Sequence, residues 1–258
     1  MKPAVIAHRG ASGEAPENTL AAFRLAWRQG ADGVEMDIHL SADAEVLVHH
    51  DASTRRTAGV DLALADTPAG RLRQLDVGSW KAPRFHAERI PTLDEVLALN
   101  PAGLALVELK TGPRIAEPLA AVLSNFPDTP VRLISFYLET LLACRVALPE
   151  RPCYLISGAV IGNDGRPYHS RDLIEQALRH DLAGLDPECT GIDATFAAAV
   201  REAGLELYTW TVNDPTVARR LGNWGLQGLT GDYPARLLSA LGRIPLDSGQ
   251  FQPRGANP

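Results

Sequence analysis

The sequence has few cysteines, no long apolar run and no excess of basic residues. Its three cysteines, Cys144, Cys153 and Cys189, lack the close cysteine and histidine spacing of zinc sites, so we expect reduced thiols in the core. Only a few apolar residues precede His8, far fewer than a signal-peptide core or the about 20 residues of a membrane-spanning helix require. We therefore expect a cytoplasmic protein without stable membrane insertion.

The charge balance argues against one class of partner. The 258-residue chain has 25 lysines and arginines against 31 aspartates and glutamates, and a formal net charge of −6. Because nucleic-acid phosphates attract clustered basic side chains, we do not expect nucleic acid as the main partner. A small phosphate in a local basic pocket is compatible with this charge. The composition predicts no particular oligomeric state.

Short apolar segments alternate with amphipathic ones along most of the chain. Eight apolar segments are typical of buried strands: 4–7, 33–38, 104–109, 131–135, 153–157, 182–186, 205–212 and 226–230. Helix-like stretches lie between them; in the first, Phe23 and Trp27 share one face and Gly30 suits the end of the helix. Eight repeats of strand and helix predict an α/β protein with the fold of a (β/α)8 TIM barrel.

A predicted hairpin interrupts this alternation. The apolar segment 45–50 follows the second strand after only the four residues SADA. That link is too short for a parallel crossover and predicts an antiparallel pair. A symmetric turn over 41–44 would place His50 directly opposite Glu35.

A long segment with weak periodicity follows, over about 51–91, and predicts an insertion that is either a lid or a small subdomain. The end of the sequence, over 245–258, is rich in proline, glycine and glutamine, and we expect it to be disordered. We expect residues 1–244 to form a single barrel domain that includes the insertion.

Ionisable residues collect where the predicted strands end, which is where the catalytic residues of such barrels lie. Glu35 and Asp37 alternate on the second strand and so point to one face, and Glu108 and Lys110 do the same on the third. Inside a barrel, three carboxylates would repel one another strongly unless a cation bound between them. Ligation by oxygen alone favours a hard divalent cation, Mg²⁺ or Ca²⁺.

The other charged residues at these strand ends suit phosphate chemistry. His8 and His50 can take and give a proton near neutral pH. Arg9 offers a planar fork to phosphate oxygens, and Lys110 offers a point charge. With both histidines neutral, the charges of Arg9, Lys110 and a divalent cation exceed those of the three carboxylates. The small net positive charge that remains would be balanced by a phosphodiester monoanion.

The chain resembles the glycerophosphodiester phosphodiesterases in an ordered series of motifs. They are His8-Arg9-Gly10, Pro16-Glu17-Asn18-Thr19, Glu35-x-Asp37, His50-Asp51, Glu108-x-Lys110, Ser135-Phe136 and Trp210-Thr211-Val212-Asn213. The series spans nearly the whole chain and is most similar to that of bacterial cytoplasmic members. The resemblance implies hydrolysis of glycerophosphodiesters to sn-glycerol 3-phosphate and an alcohol. It also implies that the glycerol 2-hydroxyl of the substrate attacks first, through a cyclic phosphate.

The resemblance also implies a role for each matching residue. Glu35, Asp37 and Glu108 match the metal ligands of that family. His8 matches the base and His50 matches the acid. Arg9 and Lys110 match the residues that hold the phosphate. Asn18 would lie near the substrate by resemblance, whereas its position before an amphipathic run predicts a helix N-cap. Phe136 and Trp210 could line the glycerol pocket or pack as core aromatics.

Two positions depart from the family pattern. Ala44 replaces a common glycine in the hairpin turn, which we expect to alter only the type of turn. Near the last strand, family members commonly have Thr-Asp-x-Pro, whereas this chain has Thr230-Gly231-Asp232-Tyr233-Pro234. This difference leaves the role of Asp232 open. The remaining histidines have no pairing that singles them out, and we expect them to be structural or exposed: His39, His49, His86, His169 and His180.

Two other functions are compatible with the same barrel. A lysophospholipase D or a cyclising phospholipase would act on lipids, but such substrates need an apolar surface and the insertion has only scattered aromatics, Trp80 and Phe85. A non-catalytic protein that binds a phosphate ligand would be expected to lack a metal ligand or a histidine. No such residue is missing here, so hydrolysis of glycerophosphodiesters is the favoured prediction.

Overall fold

A computed structural model describes residues 2–100 and 102–245 of the chain. The strands within these residues are β1 (Ala4–Ala7), β2 (Gly33–Leu40), β3 (Val46–Val48), β4 (Leu104–Leu109), β5 (Val131–Ser135), β6 (Cys153–Ser157), β7 (Val160–Ile161), β8 (Pro167–Tyr168), β9 (Gly184–Pro187), β10 (Glu206–Leu207) and β11 (Gly228–Gly231). The α-helices are α1 (Leu20–Arg28), α2 (Arg55–Ala58), α3 (Ala69–Leu72), α4 (Leu93–Leu97), α5 (Ala116–Leu123), α6 (Leu138–Ala147), α7 (Asp172–Arg179), α8 (Ala194–Glu202), α9 (Pro215–Gly222) and α10 (Pro234–Ala240).

Eight strands form a parallel sheet in the order β10, β9, β6, β5, β4, β2, β1 and β11. Backbone hydrogen bonds also join the two ends of this order. The N–H of Gln227 donates to the carbonyl of Leu207 (2.9 Å), and that of Thr230 donates to the carbonyl of Thr209 (2.8 Å). The sheet therefore curves into a nearly closed barrel, and the TIM barrel predicted from the sequence is confirmed.

Apolar side chains fill two layers of this barrel. Between the strands and the surrounding helices lies the main core, which includes Phe23 and Trp27 on the buried face of α1. A second cluster lies among the inward-facing side chains of the strands: Ile6, Leu106, Ile134, Tyr154, Ile156 and Tyr208. Because these side chains pack the barrel interior, polar groups of the same strands collect towards the carboxyl ends.

The predicted hairpin is present, but its register differs by one residue from the prediction. Val46 lies opposite Leu40, so the turn has the five residues 41–45. The alanine at the fourth position of this turn adopts a φ of 63°, which accommodates the additional residue. The longer turn shifts His50 by one residue along β2, and its predicted position directly opposite Glu35 is wrong.

Residues 51–91 contain α2 and α3 and contribute most of a separate apolar cluster, which Leu47 of β3 joins. This cluster buries Leu64, Leu72 and Ile90, which are almost inaccessible to solvent. The segment also contacts the loop that follows β1, where Lys81 Nζ donates to the carbonyl of Ser12 (2.7 Å). The insertion therefore contacts the loop after β1, which also contains His8 and Arg9.

Cys144, Cys153 and Cys189 are buried and free, as predicted. Among the described residues, no helix has both the length and the apolar character needed to cross a membrane. The single-domain boundaries 1–244 remain a prediction. The tail predicted to be disordered, over 245–258, lies outside the described residues from 246 onwards.

Candidate active site

A cavity of about 180 Å³ lies at the carboxyl ends of the barrel strands. Most of the site residues predicted from the sequence line it: His8, Arg9, Glu35, His50, Glu108, Lys110, Phe136 and Trp210. The two others, Asp37 and Asn18, are buried against this cavity without lining it. The strand-end pattern therefore brings the predicted residues to one place.

Glu35, Asp37 and Glu108 form a cluster whose carboxylate oxygens lie within 4.8 Å of one another. All three side chains are buried, and Oε1 of Glu35 has no hydrogen-bond partner within the part of the chain that the structure describes. Burial and the nearby Asp37 raise the pKa of Glu35 well above its usual value, and raise that of Glu108 to about 7. A divalent cation would offset both effects, so these residues could hold a metal ion.

Two positively charged side chains contact Asp37, one at each oxygen of its carboxylate. Lys110 Nζ lies 3.0 Å from Asp37 Oδ1, and Arg9 Nε lies 3.2 Å from Asp37 Oδ2. Burial alone would raise the pKa of Asp37, but Lys110 and Arg9 lower it well below the usual value. Asp37 is therefore ionised near neutral pH, and the two cations have hydrogen-bonding groups left to offer a bound anion.

Each candidate catalytic histidine has a carboxylate partner of its own. His8 Nδ1 lies 2.6 Å from Asp232 Oδ1, and His50 Nδ1 lies 2.6 Å from Asp51 Oδ1. A carboxylate at Nδ1 holds the proton on that nitrogen and leaves Nε2 free for proton transfer. Both imidazoles are thus oriented by a carboxylate, while both side chains line the cavity.

The two carboxylate partners are themselves held in the ionised form. Burial alone would raise the pKa of Asp232, but hydrogen bonds from His8 and Asn213 lower it to about 2. In the same way, hydrogen bonds from Arg56 and His50 outweigh burial and lower the pKa of Asp51 to about 2. Both groups therefore carry a negative charge across the physiological range.

Arg56 of the insertion contacts the carboxylates that pair with His50 and with Arg9. Its Nε lies 2.7 Å from Asp51 Oδ2, and its Nη2 lies 2.7 Å from Glu17 Oε1. Glu17 in turn accepts a hydrogen bond of 2.9 Å from Nη1 of Arg9. Sequence reasoning did not single out Arg56, because its own segment lacks periodicity and Glu17 lies 39 residues away in the chain.

The helix N-cap predicted at Asn18 lies one residue later. Helix α1 begins at Leu20, and its N-cap is Thr19, whose side chain accepts from the N–H of Ala22. Asn18 instead adopts a φ of 55° and donates from Nδ2 to Asp37 Oδ2 at 2.7 Å. The capping prediction for Asn18 is therefore wrong, since a buried carboxylate takes its side chain.

Phe136 and Trp210 form an aromatic wall at the mouth of the cavity. Their rings meet edge to face with centroids 5.8 Å apart, and Phe136 is 43% exposed. The indole N–H of Trp210 donates to the carbonyl of Asp186 at 3.0 Å. Of the two alternatives considered for these aromatics, their position favours pocket walls over core packing.

Sequence reasoning left the role of one acidic residue of the site, Asp232, open and missed another, Asp186. Asp186 lines the cavity and is 2% exposed. Burial, and to a lesser extent repulsion by Glu108, raises the pKa of Asp186 to about 8. Asp186 is the last residue of the predicted strand 182–186, so the strand-end argument could have found it.

The other histidines, which we predict to be structural or exposed, do not line the cavity. His39, His49 and His169 are buried, whereas His86 is exposed. His39 Nε2 lies 3.0 Å from the backbone carbonyl of His50 and thus helps to fix the backbone at that residue. These contacts are structural.

The chain is similar to proteins of one family over most of its length. The model of the glycerophosphoryl diester phosphodiesterase family matches residues 8–236. A glycerophosphodiester phosphodiesterase of Caldanaerobacter subterraneus is 32% identical over 249 residues, which cover 93% of this chain and 98% of that protein. YhdW of Bacillus subtilis is 34% identical over 235 residues, which cover 89% of this chain and 94% of that protein.

Solved structures agree with this similarity. An Oleispira antarctica phosphodiesterase, in complex with the product sn-glycerol-3-phosphate, superimposes with a TM-score of 0.83 and 34% sequence identity. The match covers 93% of this chain and 97% of that one.

Proposed function

The chain belongs to the glycerophosphoryl diester phosphodiesterase family and is a hydrolase, and from this premise we propose the following reaction. The protein hydrolyses glycerophosphodiesters to sn-glycerol 3-phosphate and an alcohol, with a divalent cation, Mg²⁺ or Ca²⁺, held by Glu35, Asp37 and Glu108. The observation that carries the proposal is the pair of histidines, each oriented by its own carboxylate, beside a buried acidic cluster.

In this proposal His8 is the general base and His50 the general acid. Nε2 of His8 removes the proton from the glycerol 2-hydroxyl, which then attacks phosphorus from within the same molecule. His50 gives a proton to the oxygen of the departing alcohol. A water molecule opens the resulting cyclic phosphate in a second step, in which the two histidines exchange roles.

Arg9 and Lys110 bind the phosphodiester and stabilise the charge that develops on its oxygens. Both cations already lie beside Asp37, so the anion enters a site in which their side chains are held in place. When bound, the divalent cation supplies a Lewis acid that polarises the phosphoryl group. Phe136 and Trp210 exclude water from one side of the bound substrate.

The reaction is tested by incubating the protein with glycerophosphocholine and either Mg²⁺ or Ca²⁺. We expect sn-glycerol 3-phosphate to accumulate, and we expect a chelator to stop its formation. Absence of product with both cations, or product that a chelator leaves unchanged, would contradict the proposal. Lysophosphatidylcholine assayed in parallel separates this function from a lysophospholipase D, for which the lipid would be the faster substrate.

We predict that metal binding weakens as the pH falls through neutrality. Without metal, the pKa of Glu108 is raised to about 7 and that of Glu35 is also raised, so at lower pH a cation must displace protons from both. The affinity should therefore rise with pH, by about tenfold per pH unit for each proton displaced. Calorimetric titration with Ca²⁺ between pH 5.5 and pH 8.5 measures this slope. An affinity independent of pH would contradict the assignment of these carboxylates as ligands.

We predict that Asp232→Asn lowers kcat by about 100-fold or more, with little change in KM. The amide can present its N–H to Nδ1 of His8, which favours the tautomer that has its proton on Nε2 and cannot act as a base. The exposed variant Asp128→Asn is the matched control for the loss of one surface charge. If Asp232→Asn turned over at the wild-type rate, the orienting role of Asp232 would be wrong.

A further inference from the structure

Asp186 is a buried acidic residue of the cavity for which the proposed reaction has no use. It lies on β9 next to Leu185, which packs in the main core outside the strands, so by alternation its side chain points into the barrel with the other cavity residues. It is 2% exposed, and its Oδ1 has no hydrogen-bond partner among the described residues. Because an unpaired buried polar group is costly, we expect such a group to be satisfied by a ligand.

The metal is not that ligand. Asp186 does not belong to the group of carboxylates whose oxygens lie within 4.8 Å of one another. In the strand order, β9 is separated from β2 by β6, β5 and β4, which places it across the eight-stranded barrel from Glu35 and Asp37. Asp186 therefore faces the cavity from the wall opposite these two carboxylates.

The surroundings of Asp186 on that wall are mostly apolar. Ile156 lies on the neighbouring strand and lines the cavity, and Trp210 uses its N–H on the backbone carbonyl of Asp186. Neither offers a hydrogen bond to the carboxyl group. A ligand held at its phosphate by Arg9 and Lys110 would thus meet the carboxyl group of Asp186 on the far wall.

We propose that Asp186 hydrogen-bonds the terminal hydroxyl of the glycerol moiety and selects ligands that carry this hydroxyl. The identity of the ligand rests on the proposed function. The glycerol end is common to all glycerophosphodiesters and suits a buried, fixed partner, whereas the variable alcohol suits the exposed mouth at Phe136. The terminal hydroxyl is also the group of glycerol 3-phosphate that lies furthest along the chain from the phosphorus.

This arrangement provides specificity as well as affinity. A ligand without the terminal hydroxyl leaves Asp186 buried and unpaired, so it loses a hydrogen bond and also incurs the desolvation of the carboxyl group. Such a loss corresponds to about tenfold to a hundredfold weaker binding. The 2-hydroxyl, which the reaction needs, would not contribute to this selection.

The test compares two phosphate monoesters that differ only in the terminal hydroxyl: sn-glycerol 3-phosphate and the matching propane-1,2-diol phosphate. Their affinities are measured by calorimetry with Ca²⁺ present. We expect the wild-type protein to bind glycerol 3-phosphate at least about tenfold more tightly. We expect Asp186→Leu to reduce the ratio of affinities to near one, and Asp186→Asn, whose amide still forms hydrogen bonds, to retain most of it.

Ile156→Val is the matched control, because it changes the packing beside Asp186 without removing a polar group. It should affect both ligands equally and leave the ratio unchanged. A wild-type ratio near one would overturn the proposal, as would a ratio that Asp186→Leu leaves at the wild-type value. Because binding of the products requires no turnover, these outcomes are independent of the glycerophosphocholine assay that tests the reaction itself.

Discussion

Replacing Glu35 with glutamine is expected to abolish metal-dependent hydrolysis, with a loss of about 1000-fold or more in kcat. A bound divalent cation contributes several kcal/mol to stabilisation of the transition state, which corresponds to a factor of this size. Glu35 suits this test, because its Oε1 lacks a hydrogen-bond partner among the described residues while its Oε2 accepts from the N–H of Arg9 at 2.9 Å.

Glutamine preserves the size of the side chain and can still accept the hydrogen bond from Arg9. The variant should therefore fold normally, and calorimetry should show weaker binding of Mg²⁺ and Ca²⁺. Glu45→Gln, at an exposed position of the hairpin turn, is the matched control and should retain wild-type activity. Wild-type turnover by Glu35→Gln that a chelator still abolishes would show that the cation binds elsewhere.

We expect His50→Ala to lower kcat by about 100-fold to 10,000-fold, the usual contribution of a positioned acid or base, while metal affinity stays at the wild-type value. His50 contacts Asp51 through Nδ1 and is not part of the acidic cluster. Removal of its imidazole therefore leaves all three carboxylates in place. His86→Ala, at an exposed position, is the control.

The leaving group reveals whether His50 acts as the acid. An ester of glycerol 3-phosphate with p-nitrophenol releases a stable phenolate, which needs no proton in the transition state. We expect this ester to restore most of the activity of His50→Ala, and to restore none in His8→Ala, which lacks the base. Equal defects of His50→Ala on both kinds of ester would show that His50 has another role.

The sequence predicted the barrel and most of the residues around its cavity for a clear physical reason. Buried strands have continuous apolar runs, so charged residues such as Glu35 and Glu108 stand out, and alternation along a strand determines which of them share a face. The position of each residue relative to the end of its strand could therefore be predicted from the sequence alone. Eight of the predicted strands appear in the barrel order.

The errors concern features that depend on tertiary contacts. The register of the hairpin depends on one left-handed residue, Ala44, which a count of turn residues does not reveal. Asn18 was predicted as a cap because the local pattern permits it, but the buried carboxylate of Asp37 takes its side chain. Arg56 reaches Glu17, which is 39 residues away in the chain, and Asp232 reaches His8, which is 224 residues away. No local periodicity indicates such contacts.

The hydrogen bond between His8 and Asp232 joins positions 224 residues apart in the chain. His8 follows β1, the first strand of the barrel, and Asp232 follows β11, the last. A nascent chain that has already formed its amino-terminal half would hold the acidic cluster and both histidines, yet His8 would have no carboxylate to orient it. The proposed base therefore has its carboxylate partner only once the final strand has docked beside the first.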